Sequence, residues 1–315
     1  MLIFRLDRLL GIERDMSVKI SFVIPAYNES QFIGACLLSI RRRIERLGIE
    51  GEIIVIDNGS SDETAALAQE NAHQVHSIPR NTVSYARNFG AAKANSELLA
   101  FVDGDVELTD LWMDCLMTHH EEMLKKPFFV TGAQCIVPGD GTWIEKYWFS
   151  NLKDRYLGGA NILTSKSAFS NIGGFDESLT TGEDYDFCLR AIANNDINYH
   201  VNSGYQAVHL GFPKDLKSFY RRERWHGKGD VKNITSALKS QVVLIALFYL
   251  LCYAAIIVSF IMGFVLLGII VAIIWATINL MLTKIRFREV PLAAVILNSF
   301  LHPIYFFARL ASIFT

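Results

Sequence analysis

Between Val18 and Asp230 the chain alternates two hydrophobic periods. VKISFVI (18–24), EIIVID (52–57), LLAFVD (98–103) and FFVTGA (128–133) are short apolar runs, the pattern of strands buried on both faces. After the first run, Phe32, Ile33, Cys36, Leu37, Ile40, Ile44 and Leu47 recur at helical spacing, and Gly48 supplies a stop. Ser60 and Glu63 have the spacing of a capping box for the next helix. Such alternation predicts right-handed crossovers and a mainly parallel sheet covered on both faces, with ligands bound at the carboxyl ends of its strands.

The pattern changes at Ser240. From there to Thr283 no Asp, Glu, Lys, Arg or His occurs. As helix this run would measure ~66 Å, about twice the ~30 Å hydrocarbon core of a bilayer, so two membrane helices over 240–283 are expected. A turn belongs between Ser259 and Gly268. Neither helix has the polar face that a buried soluble hairpin would need. Lys232 and Lys239 in the basic segment 231–239 precede the run, and Lys284, Arg286 and Arg288 follow it. Positive charge on both flanks of an even number of crossings predicts an inner-membrane protein with residues 18–230 in the cytoplasm. A third apolar stretch, 290–309, contains Pro291, Asn298, His302 and Pro303. It is read as a third crossing, with a bent, re-entrant element as the alternative. At the other end, Leu2, Leu6, Leu9 and Leu10 share a helical face with Arg5 and Arg8 beside it. Residues 1–17 are therefore expected as an interfacial helix or a surface helix of the domain, and not as a signal peptide.

Composition adds exclusions. Of 315 residues 51% are hydrophobic and 20% charged, too apolar for an ordinary soluble enzyme, and the net charge of −2 provides no basic field for nucleic acid. Five cysteines in odd number, with no CxxC pair, fit neither a disulfide scaffold nor a zinc ribbon.

The candidate chemistry collects where strands end. PAYNES (25–30), DNGSSD (57–62) and DGD (103–105) each follow a buried run. None has the GxGxxG or GxxxxGK[ST] pattern, which removes the main signature of dinucleotide-binding oxidoreductases and P-loop ATPases. Two carboxylates separated by one glycine, Asp103 and Asp105, suit a hard divalent cation. Glu183, Asp184 and Asp186 form a further carboxylate group, separate in sequence from these. Plainer readings stand beside these. DGD is also a solvated turn, and Glu183, Asp184 and Asp186 also place negative charge at the N-terminus of a helix.

VIPAYNE, VIDNGSSDET, YARNFGAAKA and FVDGDV, in that order, resemble the inverting GT-A glycosyltransferases of family 2. GGANILTSKSAFSNIGGFDE followed by GEDYDFCLR resembles the acceptor-side half of the same family, so the likeness covers about residues 18–230. It implies a Rossmann-like α/β domain of the nucleotide-diphospho-sugar transferase type, here followed by transmembrane helices. A nucleotide-sugar donor, first of all a UDP-sugar, and Mg or Mn are implied with it. Pro25, Ala26, Tyr27 and Glu29 would line the nucleotide site, Asp57 would bond the base, Arg87 would contact the nucleotide, and Asp103 would contact its ribose or the metal. Asp105 would be the chief metal ligand and Asp184 the general base. Gly158 and Gly159 would let the backbone approach the sugar, with Glu183 beside it. His209 lies where relatives supply a further metal ligand. RRERW (221–225) resembles the QxxRW segment of processive synthases, with Arg221 in place of Gln. Arg224 would pair with the diphosphate and Trp225 would stack on an acceptor sugar. A basic face at the membrane surface would account for the same segment.

The expected function is transfer of one sugar to a lipid-linked or other saccharide acceptor at the inner leaflet, leading towards cell-surface polysaccharide, with membrane lipid as the other partner. A processive synthase and a non-catalytic scaffold of the same fold are the alternatives.

Overall fold

The computed structural model describes residues 18–152, 156–230, 240–287 and 290–314. The segments 1–17 and 231–239, read above as an interfacial helix and a basic juxtamembrane stretch, lie outside the described residues.

A seven-stranded sheet in the order β3-β2-β1-β4-β7-β6-β8 forms the centre of the domain. Its strands are β1 (Lys19–Ala26), β2 (Glu50–Asp57), β3 (Gln74–Ser77), β4 (Leu98–Val102), β6 (Phe129–Gly132), β7 (Asn161–Ser165) and β8 (Asn198–Val201). Strands β1 to β4 pair in parallel, as the alternating pattern predicts. β7 runs antiparallel between β4 and β6, so the sheet is mixed rather than parallel throughout. Helices α1 (Ile33–Leu47) and α4 (Asp110–Lys125) cover one face. Helices α3 (Val83–Lys93), α6 (Lys166–Ile172) and α7 (Glu183–Ala193) cover the other. In α1 the periodic positions Ile33, Cys36, Leu37, Ile40 and Ile44 are the buried ones, and Gly48 ends the helix at φ +65°.

The capping box expected at Ser60 and Glu63 does not form. α2 (Thr64–Gln69) starts later, with no side-chain cap. The Ser60 hydroxyl instead accepts a hydrogen bond from the Asn28 backbone N–H at 2.9 Å. A contact between two loops thus takes the group that would have capped the helix.

Register brings the polar loops together. Ala26 pairs with Asp57, and Asp57 with Ser77, so the carboxyl ends of β1, β2 and β3 lie side by side. A second, two-stranded sheet joins β5 (Val106–Leu108) to β9 (Ala207–His209), with Val106 opposite His209. That pairing carries His209 to Asp105 from a hundred residues downstream.

Three C-terminal helices are each long and apolar enough to cross a membrane and fit a membrane anchor: α9 (Gln241–Ile261), α10 (Val265–Arg286) and α11 (Leu292–Ala311). The connection between α9 and α10 falls within the expected 259–268. Half of the most apolar stretch of α11 is buried, far more than in its two neighbours. It packs on α8 (Leu216–Asp230) and shares one apolar core with α5 (Trp143–Tyr147) and the domain-proximal half of the α9–α10 hairpin. Residues of the far half of the hairpin, such as Ile257, Phe260, Ile261, Leu266 and Ile273, are exposed.

Candidate active site

Loops from separate strands brace one another at the site. Asn28, at φ +56°, accepts the Ser61 N–H on Oδ1 at 2.8 Å, and the Glu29 N–H donates to Thr64 Oγ1 at 2.7 Å. Asparagine tolerates this left-handed backbone better than most residues. Asp57, nearly buried, accepts the Ser60 N–H at 3.2 Å. Asn58 and Asn81 exchange two bonds, Nδ2 to carbonyl at 2.9 Å and N–H to Oδ1 at 2.8 Å. Pro25 and Ala26 are buried, whereas Tyr27 is exposed with the Arg80 guanidinium 3.5 Å from its ring centre.

At the centre is Arg87, only 2% exposed. Its Nη2 donates to Asp103 Oδ1 and its Nη1 to Glu183 Oε1, each at 2.7 Å. Burial pulls the pKa of this guanidinium down, but the two carboxylates outweigh it and hold it above its ordinary value. Gly159 lies against it: a Cβ there would come 2.6 Å from Arg87 Nη2. The Gly159 N–H donates to Asp184 Oδ2 at 3.0 Å, and Asp184 Oδ1 accepts the Tyr185 N–H at 2.8 Å. A carboxylate offers about four lone-pair sites. Asp184 therefore keeps acceptor capacity while its orientation is fixed from two sides. Gly158 precedes this contact, and its carbonyl accepts the Asn161 N–H.

Asp105 faces His209, with Oδ2 and Nδ1 3.5 Å apart. That nitrogen is buried and has no hydrogen-bond partner. Gly211 closes over the carboxylate, since a Cβ would fall 1.9 Å from Asp105 Oδ2. Burial raises the Asp105 carboxyl above its ordinary range against the pull of His209. Glu29 is pushed up to about 8 by burial, then by Asp105, Asp103 and Asp62. Among the described residues no group of three or more His, Cys, Asp or Glu side chains is arranged to hold a metal ion. A carboxylate beside an orphaned imidazole nitrogen nevertheless fits a small divalent cation that takes its remaining ligands from phosphate and water.

The RRERW segment lies on α8. Arg224 and Trp225 are exposed, and the Trp225 ring meets His226 edge-on at 4.8 Å. Its neighbour Arg222 is half-buried, with its guanidinium 4.8 Å from the centre of the Phe149 ring. Asn28, Asn58, Arg80, Gly211, Arg222, Glu223 and Arg309 were not singled out for the site from the sequence. Only Asn28, in a polar turn after a buried run, carries a local signal for its conformation.

Comparison with known proteins accords with this geometry. Residues 21–167 match the model of Glycosyl transferase family 2, and residues 153–307 match that of Glycosyl transferase family group 2. The chain is 24% identical over 234 residues to the glycosyltransferase AglE of Haloferax volcanii, covering 68% of this chain and 73% of that protein. It is 27% identical over 200 residues to the pre-mycofactocin glycosyltransferase of Mycobacterium tuberculosis, covering 57% of this chain but only 39% of that longer one. Among solved structures, a mannosyltransferase from Pyrobaculum calidifontis in complex with GDP-Man and Mn2+ superposes with a TM-score of 0.54. That match spans 99% of this chain and 93% of the other at 14% identity, a likeness of fold. With matches running from residue 21 to residue 307, the chain belongs to the family 2 glycosyltransferases.

Proposed function

We propose that this enzyme transfers one sugar, with inversion, from a nucleoside-diphosphate sugar to a lipid-linked or other saccharide acceptor at the inner leaflet of the cytoplasmic membrane. The observation that carries the reading is Asp184: its carboxylate is clamped by the Gly159 N–H directly beside the Arg87 bridge to Asp103. In this mechanism the acceptor hydroxyl gives its proton to Asp184 as its oxygen bonds the anomeric carbon. The bond from that carbon to the diphosphate oxygen breaks, and the diphosphate leaves from the opposite face with the electron pair. Pro25, Ala26, Tyr27, Asp57 and Asp103 are the donor-side residues, with a UDP-sugar the first donor to try. Asp105 and His209 would hold Mg or Mn, which when bound neutralises charge on the diphosphate.

The anchor motivates the acceptor class, because confinement at a membrane raises encounters with a lipid-linked substrate. On this reading the hairpin α9–α10 crosses the bilayer, while α11 lies along its surface between the hairpin and α8. Two crossings keep the catalytic domain on the side of the basic flanks, the cytoplasm.

The test is Asp184→Asn in the full chain in detergent, assayed with a panel of nucleotide sugars. Turnover is expected to fall about 10²–10⁴-fold, with donor binding kept. Product of unchanged anomeric configuration, or an Asn variant that still turns over, would overturn the proposal.

A further inference from the structure

A chain of contacts leads from Asp105 to the helical anchor. The His209 ring stacks on Phe212 (4.1 Å between centres, 13° between planes), and Phe212 stacks on Phe149 (4.6 Å, 12°). The Arg222 guanidinium lies 4.8 Å from the centre of the Phe149 ring and 6.0 Å from that of Phe212. Arg222 Nη1 donates at 3.0 Å to Oε1 of Glu223, a carboxylate only 2% exposed. The other oxygen of Glu223 accepts from Arg309 of α11, Nε at 3.1 Å and Nη2 at 2.9 Å. α8 and α11 approach closely at the same place: a Cβ at Gly227 would come 2.6 Å from Ser312 Oγ and 2.8 Å from the Arg309 carbonyl.

One buried carboxylate thus holds two guanidinium groups, one from α8 and one from α11. His226, beside both arginines, is kept neutral by burial and by their charge. Arg309 therefore shares Glu223 with Arg222, and the ring stack from Phe149 through Phe212 to His209 leads from the Arg222 guanidinium towards Asp105. Were Arg309 absent, both oxygens of Glu223 would be open to Arg222. The pair would neutralise itself, and the guanidinium would be drawn off the Phe149 face.

We infer that Arg309, on a helix of the anchor, is a positioning residue for transfer: by holding one oxygen of Glu223 it keeps the Arg222 guanidinium on the Phe149–Phe212 stack, facing the diphosphate beside Asp105. The inference rests on the donor reading above. It adds that the anchor completes the electrostatics of the site as well as holding the enzyme at the membrane. The departing diphosphate carries one more negative charge than it does in the donor, so the effect belongs mainly in turnover.

The experiment compares Arg309→Ala, Glu223→Gln and the double variant, as full chains in detergent, each scaled to the protein that elutes as a folded species. Arg309→Ala is expected to lower kcat about tenfold while donor KM changes less than about threefold. Adding Glu223→Gln removes the unbalanced carboxylate, so the double variant should recover kcat to within about threefold of the parent. Binding of UDP by calorimetry provides a readout independent of turnover: weakened about fivefold by Arg309→Ala and restored in the double variant. A merely structural contact would make the double variant no better than either single one, and that result overturns the inference. A parent that binds UDP but turns over no nucleotide sugar sinks the donor reading alone, with the UDP series still deciding the role of Arg309. A parent that does not bind UDP sinks both.

Discussion

Two buried polar clusters in this molecule are built on opposite plans. In the catalytic domain, Arg87 is almost wholly buried and shared by Asp103 and Glu183, so ionised groups lie in a dry place. In the helical anchor, Tyr249, Asn279 and His302 are equally buried but joined by dipolar bonds. The Tyr249 hydroxyl donates to Asn279 Oδ1 at 2.9 Å and lies 3.4 Å from His302 Nδ1, and Asn279 Nδ2 donates to the Ser299 carbonyl at 2.9 Å. Burying a charge costs several kcal/mol, recovered only by close partners, and hydrocarbon supplies none. On the proposed function the domain keeps ionised groups where a charged donor and a cation are to be gripped, while at this second cluster α9, α10 and α11 are joined by dipoles. Asp103 remains partly exposed, so one end of the charged cluster opens to solvent. No such opening is needed in a cluster that only holds helices.

The hardest blow to this contrast is Arg87→Met. It leaves Glu183, 8% exposed, as an uncompensated buried carboxylate, and it frees Asp103. Breaking one side of such a pair typically costs about 3–5 kcal/mol. A fall of that size in the denaturant midpoint of the full chain in detergent, with loss of transfer, is the expected outcome. A near-neutral effect would mean that the charges are already solvated.

Glu29 sharpens the same point through pH. Its carboxyl is raised from 4.5 to about 8, so at neutral pH the folded protein holds a proton that the unfolded chain has released. Stability from that proton is complete below about pH 4.5 and is lost as pH rises through 8. Without added cation or donor, the parent should lose about 2 kcal/mol between pH 6 and pH 9. Glu29→Gln should flatten that slope, read as the unfolding midpoint across the pH range.

The sequence made the domain legible wherever burial is continuous. β1, β2, β4, β6 and α1 follow from local apolar runs and helical spacing because each element repeats its own pattern over several turns or pleats. β5 and β9 could not be read that way. Each is three residues long, and their pairing joins Val106 to His209 across a hundred residues. The antiparallel insertion of β7 was equally hidden, since its fully buried run NILTS has the pattern of a parallel strand. At the site, Asp103 and Asp105 could be found because polar residues ending buried runs are locally conspicuous, whereas Asp184, in the first turn of α7, was reached through the family resemblance. Arg222 could not be told from Arg224 by spacing alone: both lie in one basic helix, and only the packing of α8 on α11 turns Arg222 towards Phe149 and Glu223 while Arg224 remains exposed. Glu223 and Arg309 likewise have no local signal, because their meaning lies in a contact over 86 residues.

The smallest expected effect tests the anchor's half of the comparison. Tyr249→Phe removes one hydroxyl from a fully buried site and keeps the ring against Trp275 and Phe306, whose centres lie 5.9 and 5.5 Å away. Asn279 retains its bond to the Ser299 carbonyl, and His302 Nδ1 remains 3.2 Å from Asn279 Oδ1. Each partner thus keeps a dipolar neighbour, and no charge is stranded. Side-chain hydrogen bonds between helices in lipid contribute about 0.6 kcal/mol on average, and the loss here should be of that order. Thermal unfolding of the full chain in detergent would register a small downward shift, with transfer unchanged because the hydroxyl belongs to neither the cleft nor the Glu223 cluster. A loss as large as that of Arg87→Met would remove the distinction, since a neutral network would then be as indispensable as a charged one. A small loss would leave the asymmetry where the physics puts it: dipoles in the anchor can share a missing partner, whereas the carboxylate of Glu183 has no substitute for its guanidinium.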